Sequence, residues 1–562
     1  MQPSSLLDSP AAFRRAIYAL LIGIAAAQWL GRIMAVNSLD VIGLERDLNN
    51  PSNLAKRVES TRKNWQSRGI PFSEEQLLAT VKQSVQLQRP FLSGNDRSRW
   101  LTVRALVEGG TYEIDEYFQQ PGWDSIDIVC KPNAAGELRF YSSKPPFMAT
   151  VIAGQYWLLH KLTGWTLGDH PYELGRIMLI TTNILPAVIA WWLLALLIDR
   201  WAISDWAKIA LVAGLCFATM LTPFMIALNN HLWGAASAVY AIWCWQGLFL
   251  SGTQNTLPRM LWLAFWTGLW AGVCVTCELP AAAFLGLLLL LLLWQFGLRA
   301  ALAATAGAVF VLAMTLGLNY LAIGTLKPAY AFGAGDARNS RLSAAADQNP
   351  DPAPDSAKTF KRDPAANPSS WAPLSVTAPN PANWYDYKYT RKIDGKEVKS
   401  YWLAPNNPID QGEPHVGVYA FHALAGHHGL FSLTPLLLLT VPGLIIWLRH
   451  GTPEQRQFAL LISAVSVICT GYFIFGMNQA QRNYGGNTTA FRWLLWLQPL
   501  WIIAAIPATD WLAGRRWGRF GFLVLLALSV FSASYPTWNP WVQPWLWNAM
   551  QYWGWPTMSL AA

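Results

Sequence analysis

The sequence predicts an all-α polytopic membrane protein. Hydrophobic residues make up 53% of its 562 residues, and charged residues make up only 13%. Several apolar runs reach the roughly 18 residues from which a membrane-spanning helix is inferred. The mean hydropathy of +0.23 has the sign expected for such a chain. Together these observations place the protein in the polytopic membrane class and exclude a soluble globular domain.

The first apolar run covers residues 17–36 and follows Arg14 and Arg15. No clear small-x-small cleavage site follows it, so we interpret it as a retained first helix rather than as a signal peptide. Ten later runs are interpreted as further spans: 174–198, 209–228, 233–250, 261–277, 281–298, 302–323, 430–448, 458–475, 493–512 and 520–534. The sequence therefore predicts about eleven transmembrane helices.

Lysine and arginine set the predicted orientation, because short cytoplasmic loops collect them. With the opening stretch left out, the short loops that carry these residues all fall on one side of the membrane. These residues are Arg200, Lys208, Arg259, Arg299, Arg449, Arg456, Arg515, Arg516 and Arg519. The short turns on the other side, "NNHL" and "CELP", carry neither residue type. The N-terminus is therefore expected in the cytoplasm, and the protein in a bacterial inner (plasma) membrane.

The stretch 147–162 is apolar but too short to cross a bilayer comfortably, since a crossing needs roughly 20 helical residues. Counting it as a span would also place every later loop on the opposite side of the membrane. Its flanking Lys144 and Lys161, with Tyr156 and Trp157 between them, suit a helix at headgroup depth. We therefore predict an interfacial helix on the outer surface. A short span in a thinned bilayer is the alternative.

This topology divides the chain into alternating membrane and external segments. They are an N-terminal transmembrane helix (1–36), a first extracytoplasmic loop with interfacial helices (37–168), spans two to seven (169–323), a second extracytoplasmic loop (324–429), spans eight to eleven (430–534) and a Trp-rich interfacial tail (535–562). In the first loop, Ser73 and Gln76 predict a capping box at the start of an amphipathic helix. The second loop combines a Pro-rich tract at 343–370 with a β-hairpin predicted around Asp394 and Gly395.

The chemistry is expected in the first external loop. There "SGNDRSRWLTVRALVEGG" places Asp96 at the predicted N-cap of a helix that ends at Gly109 and Gly110. Further on, "SSKPP" places Lys144 just before the interfacial helix, and its two prolines favour an extended approach and a helix start. A cation fixed at headgroup depth is suited to binding a lipid phosphate. Asp96 alone, without this context, would be interpreted as a structural cap.

Three motifs, in this order, resemble those of a known superfamily. They are "DRSR" at 96–99, "FYSSKPP" at 140–146 and "ELGR" at 173–176. Together they resemble the GT-C superfamily of membrane glycosyltransferases, and within it the protein O-mannosyltransferase and lipid A aminoarabinose transferase group. Members of that group transfer a sugar from a polyprenyl phosphate to a protein or lipid acceptor on the outer side of the membrane. The resemblance spans residues 90–300 and implies a GT-C-like fold.

The resemblance also implies roles for individual residues. Asp96 would be the general base that accepts the proton of the acceptor hydroxyl, and Lys144 would bind the donor phosphate. Candidates for a second phosphate-binding cation are Arg97, Arg99, Arg482 and Arg492. Transfer would be a single displacement with inversion to a lipid, glycan or protein acceptor. The expected partners are a polyprenyl-phosphate sugar donor and membrane lipid, and no nucleic acid is expected.

Two features depart from that group's pattern. Asp96 lies far from the first span and is preceded by Asn95 instead of being followed by a second acid. The next external turn reads "ALNNHLWG", where the group often has an acidic residue. Candidate site-lining residues here and in "CELP" are Asn229, Asn230, His231 and Glu278. The alternative interpretation of each is a polar residue at the end of a helix. A divalent metal stays open, with unknown ligands, and no other cofactor is expected.

Two other functional classes stay open. A secondary transporter is expected to have interrupted helices in matched halves and charged residues near the bilayer midplane. The apolar runs show neither feature. A non-catalytic membrane scaffold fits the Pro-rich tract but leaves "KPP" without a role.

Overall fold

The computed structural model describes residues 9–36, 50–67, 71–85, 91–120, 122–250, 256–333, 376–378, 380, 382–390, 397–405, 407–536 and 538–559. The Pro-rich tract at 343–370 and the predicted turn at Asp394 and Gly395 lie outside these residues. Within them the chain is mostly helical, and the strands form two small antiparallel sheets.

The described α-helices follow one another along the chain in this order: α1 (Pro10–Ala35), α2 (Pro51–Ser67), α3 (Glu74–Val85), α4 (Gly94–Arg104), α5 (Pro146–Thr163), α6 (Pro171–Trp201), α7 (Asp205–Phe217), α8 (Asn230–Leu250), α9 (Leu257–Cys277), α10 (Leu279–Phe296), α11 (Leu298–Ile323), α12 (Pro408–Gln411), α13 (Val416–Leu424), α14 (Leu430–Leu433), α15 (Thr440–His450), α16 (Pro453–Phe475), α17 (Gln498–Ala504), α18 (Ile506–Ala513), α19 (Arg516–Ser534) and α20 (Trp545–Tyr552). The strands are β1 (Ile128–Pro132), β2 (Leu138–Ser142), β3 (Val376–Thr377), β4 (Lys388–Thr390) and β5 (Glu397–Lys399).

Seven of the described helices are long and apolar enough to cross a membrane: α1, α6, α9, α10, α11, α16 and α19. They confirm seven of the predicted spans and show an integral membrane protein. The other four predicted spans stay predictions. The run 233–250 lies in the continuous helix α8, which is not among the seven.

Three of those four runs are interrupted, and proline explains where. In 209–228, α7 ends at Phe217 and a separate 3-10 turn follows. The runs 430–448 and 493–512 are likewise built from several short helical segments. Prolines in the first turns of the new segments are Pro223, Pro435, Pro499 and Pro507. Because proline lacks an N–H and clashes with the preceding turn, it starts helices and stops those before it.

Helices α9 and α11 pack with almost no space between their backbones. A Cβ on Gly268 would overlap the carbonyl group of Ala304, and a Cβ on Gly307 would overlap that of Phe265. Small residues at such crossings let membrane helices approach closely enough for their backbones to touch. This pair therefore forms a tight unit beside the helices that position the site.

The described part of the predicted first loop is largely helical. The predicted capping box is confirmed, because Ser73 N–H donates to Gln76 Oε1 at 3.2 Å and Gln76 N–H donates to Ser73 Oγ at 3.1 Å. Helix α4 is buried from Asp96 to Arg104, and a π-helical turn extends it to Gly109 before the left-handed Gly110 ends it. Strands β1 and β2, which the sequence did not predict, pair with Ile128 opposite Ser142.

Helix α5 is the predicted interfacial helix, and it forms as a continuous helix from Pro146 to Thr163. It packs against α4, where Tyr156 Oη donates to Glu108 at 2.6 Å. The same carboxylate accepts from Arg104 Nε at 2.8 Å and from Leu167 N–H at 3.0 Å. These bonds fix α5 relative to α4. The depth of α5 in the membrane stays a prediction.

The second external loop lies against the first. The predicted hairpin is confirmed in its strands, since β4 and β5 pair antiparallel and β3 joins them at the edge. Cys130 N–H donates to the carbonyl of Trp384 at 2.9 Å, and the Phe140 ring contacts the rings of Tyr387 and Tyr389 at 5.2 and 5.4 Å. The two loops therefore form one layer over the membrane helices.

The Trp-rich tail is divided between two environments. Trp541 and Trp547 are buried, whereas Trp538 and Trp553 are exposed. Ser559 N–H donates to Glu413 Oε2 at 2.9 Å, which ties the tail to the second loop. An interfacial position for the exposed tryptophans stays a prediction.

Candidate active site

The site lies where the predicted first loop meets the ends of the membrane helices. Several elements contribute one or two polar side chains each. These side chains are Arg99 on α4, Asp127 just before β1, Lys144 just before α5, Asn230 and His231 at the start of α8, Glu278 between α9 and α10, and Arg492 at the start of the 3-10 turn Arg492–Leu497. Most of these positions are far apart in sequence, so the fold creates the cluster.

Lys144 is held by the hairpin that precedes α5. Its Nζ lies 3.0 Å from Asp127 Oδ1, and its backbone N–H donates to Ser142 Oγ at 3.1 Å. Ser98 Oγ donates to the carbonyl of Asp127 at 2.6 Å and lies 2.6 Å from Ser142 Oγ. The two serines therefore lock the hairpin to α4. They also fix the lysine, which is only 19% exposed.

The charges around Lys144 are mostly positive. Burial lowers the pKa of its ammonium group, the Asp127 carboxylate raises it, and the charges of Arg99 and Arg492 lower it again. Burial likewise lowers the pKa of the Arg99 guanidinium, which Asp127 and Asp96 raise. The three cations thus share the site with the carboxylates of Asp127, Asp96, Glu278 and Asp410.

Arg99 connects the first loop to α8. Its Nη2 donates to Asn230 Oδ1 at 2.8 Å, and its Nη1 donates to the carbonyl of Asn95 at 3.0 Å and to the Asn95 side chain. The partners of this guanidinium are thus neutral oxygens. Among the described residues no carboxylate lies within ion-pair distance of Arg99, although the charges of Asp127, Asp96 and Glu278 act on it from farther away.

Arg492 has still fewer partners. Its guanidinium lies over the ring of Trp541 at 5.1 Å, and its Nε is buried without a hydrogen-bond partner in the part of the chain that the structure describes. Burial lowers the pKa of Arg492 to about 10. Gly485, with φ +104°, packs so closely that a Cβ there would overlap the Arg492 side chain. Only glycine fits both that backbone conformation and that contact.

Glu278 and His231 form a hydrogen-bonded pair. Glu278 Oε1 accepts from His231 Nδ1 at 2.5 Å and from Asn230 Nδ2 at 2.8 Å. The other ring nitrogen of His231, Nε2, is buried without a partner among the described residues. A Cβ on Gly234 would lie 2.9 Å from Glu278 Cγ, so the missing side chain at 234 leaves room for the carboxylate against α8.

Asp96 is held differently from the prediction. The N-cap of α4 is Ser93, whose Oγ accepts from Asp96 N–H at 3.1 Å, so the cap assigned to Asp96 was wrong by three residues. The Asp96 carboxylate instead accepts from the backbone N–H groups of Leu228 at 2.9 Å and Leu92 at 3.3 Å. Burial raises its pKa to about 6, although these bonds and the nearby Arg99 lower it. Asp96 thereby links the first loop to the turn before α8.

Three further predicted residues take part in local structure. Arg97 donates to the carbonyls of Asp124 at 2.5 Å and Phe91 at 2.7 Å, which closes the first loop on itself. Asn229 is fully buried, and its Nδ2 donates to two carbonyls in the turn before α8. Arg482 lies beside Tyr419 in a different part of the external layer. The roles of Arg97 and Arg482 at the donor phosphate, and of Asn229 in lining the site, are untested predictions.

The described residues contain no group of three histidine, cysteine or acidic side chains that could hold a metal ion. The histidines near α13 and α14 contact one another instead. His427 Nδ1 lies 2.6 Å from His428 Nδ1, and the rings of His422 and His427 stack at 3.9 Å. The question of a metal therefore stays open.

Three participants were not predicted from the sequence. Asp127, Trp541 and Gly485 carry no motif that marks them as functional. Asp127 lies in "IDIVC" at 126–130, directly before the β-branched pair that begins β1, so a polar strand end could have been suspected there. Trp541 and Gly485 contribute only through contacts with Arg492, and no local sequence signal reveals those.

No protein-family model and no curated protein sequence matches this chain. Among solved structures, it is similar to the apo form of the oligosaccharyltransferase of Archaeoglobus fulgidus. The TM-score is 0.43 and the identity 13%, over 95% of this chain and 57% of that one. The archaeal oligosaccharyltransferase AglB from the same organism, in complex with an inhibitory peptide and a dolichol-phosphate, gives a TM-score of 0.37 and 12% identity over 82% and 54%.

The chain therefore spans little more than half the length of the solved chains it matches. At these TM-scores the likeness is distant, and a function for this chain has to be derived from its own contacts. The narrower resemblance to the protein O-mannosyltransferase and lipid A aminoarabinose transferase group stays a prediction.

Proposed function

We propose that the protein is a GT-C-like membrane glycosyltransferase. It would transfer a sugar from a polyprenyl-phosphate donor to a lipid, glycan or protein acceptor on the extracytoplasmic side. The observation that carries the proposal is the convergence of Lys144, Arg99 and Arg492, for which the described contacts include one direct ion pair, from Lys144 to Asp127.

These three cations can form an anion site because, among the described contacts, only Lys144 has a carboxylate in direct contact. The carboxylates of Asp96, Glu278 and Asp410 act on Arg99 or Arg492 only from farther away. Among the described contacts, Lys144 forms an ion pair, Arg99 binds neutral oxygens, and Arg492 contacts an aromatic ring. Largely buried charges without partners are costly. A phosphate offers several acceptor oxygens to such a group, and charge-assisted hydrogen bonds to phosphate are among the strongest that proteins make.

The surroundings favour a phosphate on a lipid over a soluble one. Lys144 stands at the start of α5, and the far half of that helix exposes apolar side chains. Among these, Trp157 is 54% and Leu162 is 74% exposed. In an integral membrane protein, an exposed apolar helix face suits contact with lipid. A polyprenyl chain attached to the bound phosphate would then run along the membrane.

The same cations fit glycosyl transfer chemically. As the bond between the sugar carbon and the phosphate oxygen breaks, the sugar becomes oxocarbenium-like and negative charge grows on the phosphate. Cations fixed in a water-poor site stabilise that charge without having to reorganise. A single displacement with inversion needs only these groups and one base.

Transport is the second candidate, and one observation favours it. The interruptions in the runs 209–228 and 493–512 are of the kind that transporters use to form binding sites. Uptake of a polyprenyl-phosphate sugar into sealed vesicles, without any transfer or release of the sugar, would support transport and contradict the transferase.

Lys144→Ala tests the phosphate site. The purified protein in detergent would be titrated with undecaprenyl phosphate and followed by native mass spectrometry. Loss of a charge-assisted bond, worth roughly 1.5 to 3 kcal/mol, should weaken binding about 10- to 100-fold. Lys144→Arg should keep part of the affinity because the charge persists.

Lys161→Ala is the matched control, since Lys161 is an exposed lysine near the other end of α5. It should bind undecaprenyl phosphate like the wild type. Equal affinity of Lys144→Ala and wild type would remove Lys144 from the site. Incubation of the wild type with undecaprenyl-phosphate-linked hexose, pentose and aminopentose, with detection of released sugar, then tests the transferase activity itself.

A further inference from the structure

We infer that His231 is the general base of the transfer reaction and that Glu278 positions it. This inference rests on the proposed function and adds the residue that receives the acceptor proton. It differs from the expectation, taken from the family resemblance, that Asp96 has this role.

The hydrogen bonds of the pair define the state of the imidazole. An ionised carboxylate can only accept hydrogen bonds, so the proton of the 2.5 Å contact lies on His231 Nδ1. In the neutral ring, Nε2 then carries a lone pair. Because Asn230 also donates to the same Glu278 oxygen, the carboxylate and the ring have a fixed mutual orientation.

The lone pair on Nε2 faces no hydrogen-bond donor in the part of the chain that the structure describes. His231 is only 2% exposed, and its Nε2 forms no hydrogen bond within the described residues. A buried acceptor without a donor is unfavourable unless a ligand supplies one. The hydroxyl group of an acceptor molecule is such a donor.

The pair is also connected to the phosphate site. Asn230 donates to Glu278 through Nδ2 and accepts from Arg99 through Oδ1 at 2.8 Å. On the other side of the ring, His231 meets Phe224 edge-on at 5.6 Å, and Phe224 in turn contacts Trp541, over which Arg492 lies. Both Arg99 and Arg492 are near enough for their charges to act on the imidazole.

The carboxylate of Asp96 is not open to an acceptor hydroxyl in the way that His231 Nε2 is. Each of its carboxylate oxygens accepts a backbone N–H, and the residue is only 1% exposed. An acceptor hydroxyl could reach it only after one of these bonds had broken. His231 needs no such rearrangement.

The transfer step conserves atoms and electrons. The acceptor O–H bond breaks, its proton moves to His231 Nε2, and the oxygen forms a bond to the sugar carbon. The bond from that carbon to the phosphate oxygen breaks, and its electron pair stays on the polyprenyl phosphate. The imidazolium that results is stabilised by the Glu278 carboxylate, as in other carboxylate–histidine pairs, until its proton passes to solvent.

The test compares three variants with the wild type from pH 5 to 9. The probes are undecaprenyl phosphate for binding and undecaprenyl-phosphate-linked hexose, pentose and aminopentose for sugar release, with water as the acceptor. His231→Gln should bind undecaprenyl phosphate within about twofold of the wild type. Sugar release should fall at least about 100-fold, as expected for loss of a general base.

Glu278→Gln should reduce release and also change its pH dependence. The groups that face His231 are Glu278, Arg99 and Arg492. Without the carboxylate the imidazolium loses its stabilising partner, so the acid limb of the rate profile should move to lower pH. A residue with a merely structural role would lower the rate without moving that limb. His450→Gln, at an exposed histidine at the end of α15, is the matched control and should release sugar like the wild type.

The outcomes separate the inference from the proposed function. Wild-type rates and an unchanged profile in His231→Gln overturn the inference and leave the transferase intact. A wild type that binds undecaprenyl phosphate but releases none of the three sugars contradicts the proposed function itself. If His231→Gln does not fold, the pH dependence of sugar release by Glu278→Gln tests the inference instead. An acid limb at the same pH as in the wild type would overturn the roles of His231 and Glu278.

Discussion

Two buried carboxylates near the candidate site, Asp96 and Glu278, differ in what holds them. Asp96 is 1% exposed and binds two backbone N–H groups from different segments of the chain. Glu278 is 5% exposed and binds two side chains through a single oxygen. Bonds to the backbone join segments of the fold. The bond from His231 to Glu278 orients an imidazole whose other nitrogen has no partner among the described residues and is therefore available to a substrate.

Glu278→Gln should give the largest functional effect in this comparison. The amide oxygen of Gln can accept both bonds that Oε1 accepts now, so the variant should stay folded while the negative charge disappears. We expect sugar release to fall at least about 100-fold, which corresponds to roughly 2.7 kcal/mol in the barrier. The midpoint of thermal unfolding should stay close to that of the wild type. An active Glu278→Gln variant would remove the contrast between the two carboxylates.

The pH dependence of stability should reveal Asp96. Its pKa is about 6 in the folded protein, against 3.8 for the unperturbed group. The folded state therefore binds more protons than the unfolded state between these values, and stability should fall as pH rises from about 4 to 6. A shift of roughly two units corresponds to at most about 3 kcal/mol. Thermal unfolding in detergent at pH 4 to 7 measures the slope.

Asp115 contributes to the same slope, because burial raises its pKa to about 6 as well. Asp96→Asn should therefore flatten the profile only in part. A profile that keeps its full slope in Asp96→Asn would show that the Asp96 carboxyl does not titrate in this range.

Asp96→Asn also separates the structural and catalytic interpretations of this residue. Asn offers one oxygen where Asp offers two, so either Leu228 or Leu92 loses its acceptor. A buried N–H without a partner costs about 1 to 3 kcal/mol, and the loss should appear in thermal unfolding. If Asp96 is the base, as the family resemblance implies, sugar release per folded molecule should fall by about two orders of magnitude or more. If it is structural, release per folded molecule should change little.

Gly234→Ala should have the smallest effect. The new Cβ would lie 2.9 Å from Glu278 Cγ, and displacing that side chain should cost about 1 kcal/mol. This predicts a reduction in sugar release of about fivefold. Gly286→Ala is the control, since a Cβ at this helical glycine meets no atom within 4 Å. Equal activity of the two variants would show that Glu278 tolerates displacement.

The sequence predicted the elements whose signals are local. The apolar runs predicted the seven membrane helices, "SSKPP" predicted the start of α5 beside Lys144, and Ser73 with Gln76 predicted a capping box. The N-cap of α4 was misplaced because Ser93 and Asp96 are both good caps and lie three residues apart. Only the contact between Asp96 and Leu228, which are 132 residues apart, distinguishes them.

Which residues form the site could be predicted only in part, because contacts between residues distant in sequence determine it. Four arginines were equally good candidates by residue type, and the structure brings Arg99 and Arg492 to Lys144 while it uses Arg97 to close a loop. Nothing near these residues in the sequence encodes the difference. It depends on where α4, α8 and the turn before α17 meet.

The side chain of Asn230 joins Arg99 and Glu278 in one chain of hydrogen bonds. Its amide accepts from Arg99 at one end and donates to Glu278 at the other, so the donors point one way along the chain of bonds. Each such bond polarises the next. An anion that draws the Arg99 protons toward itself would weaken the pull of Asn230 on Glu278 and leave the carboxylate more electron-rich. Binding of the donor phosphate at Arg99 would thus make His231 a stronger base.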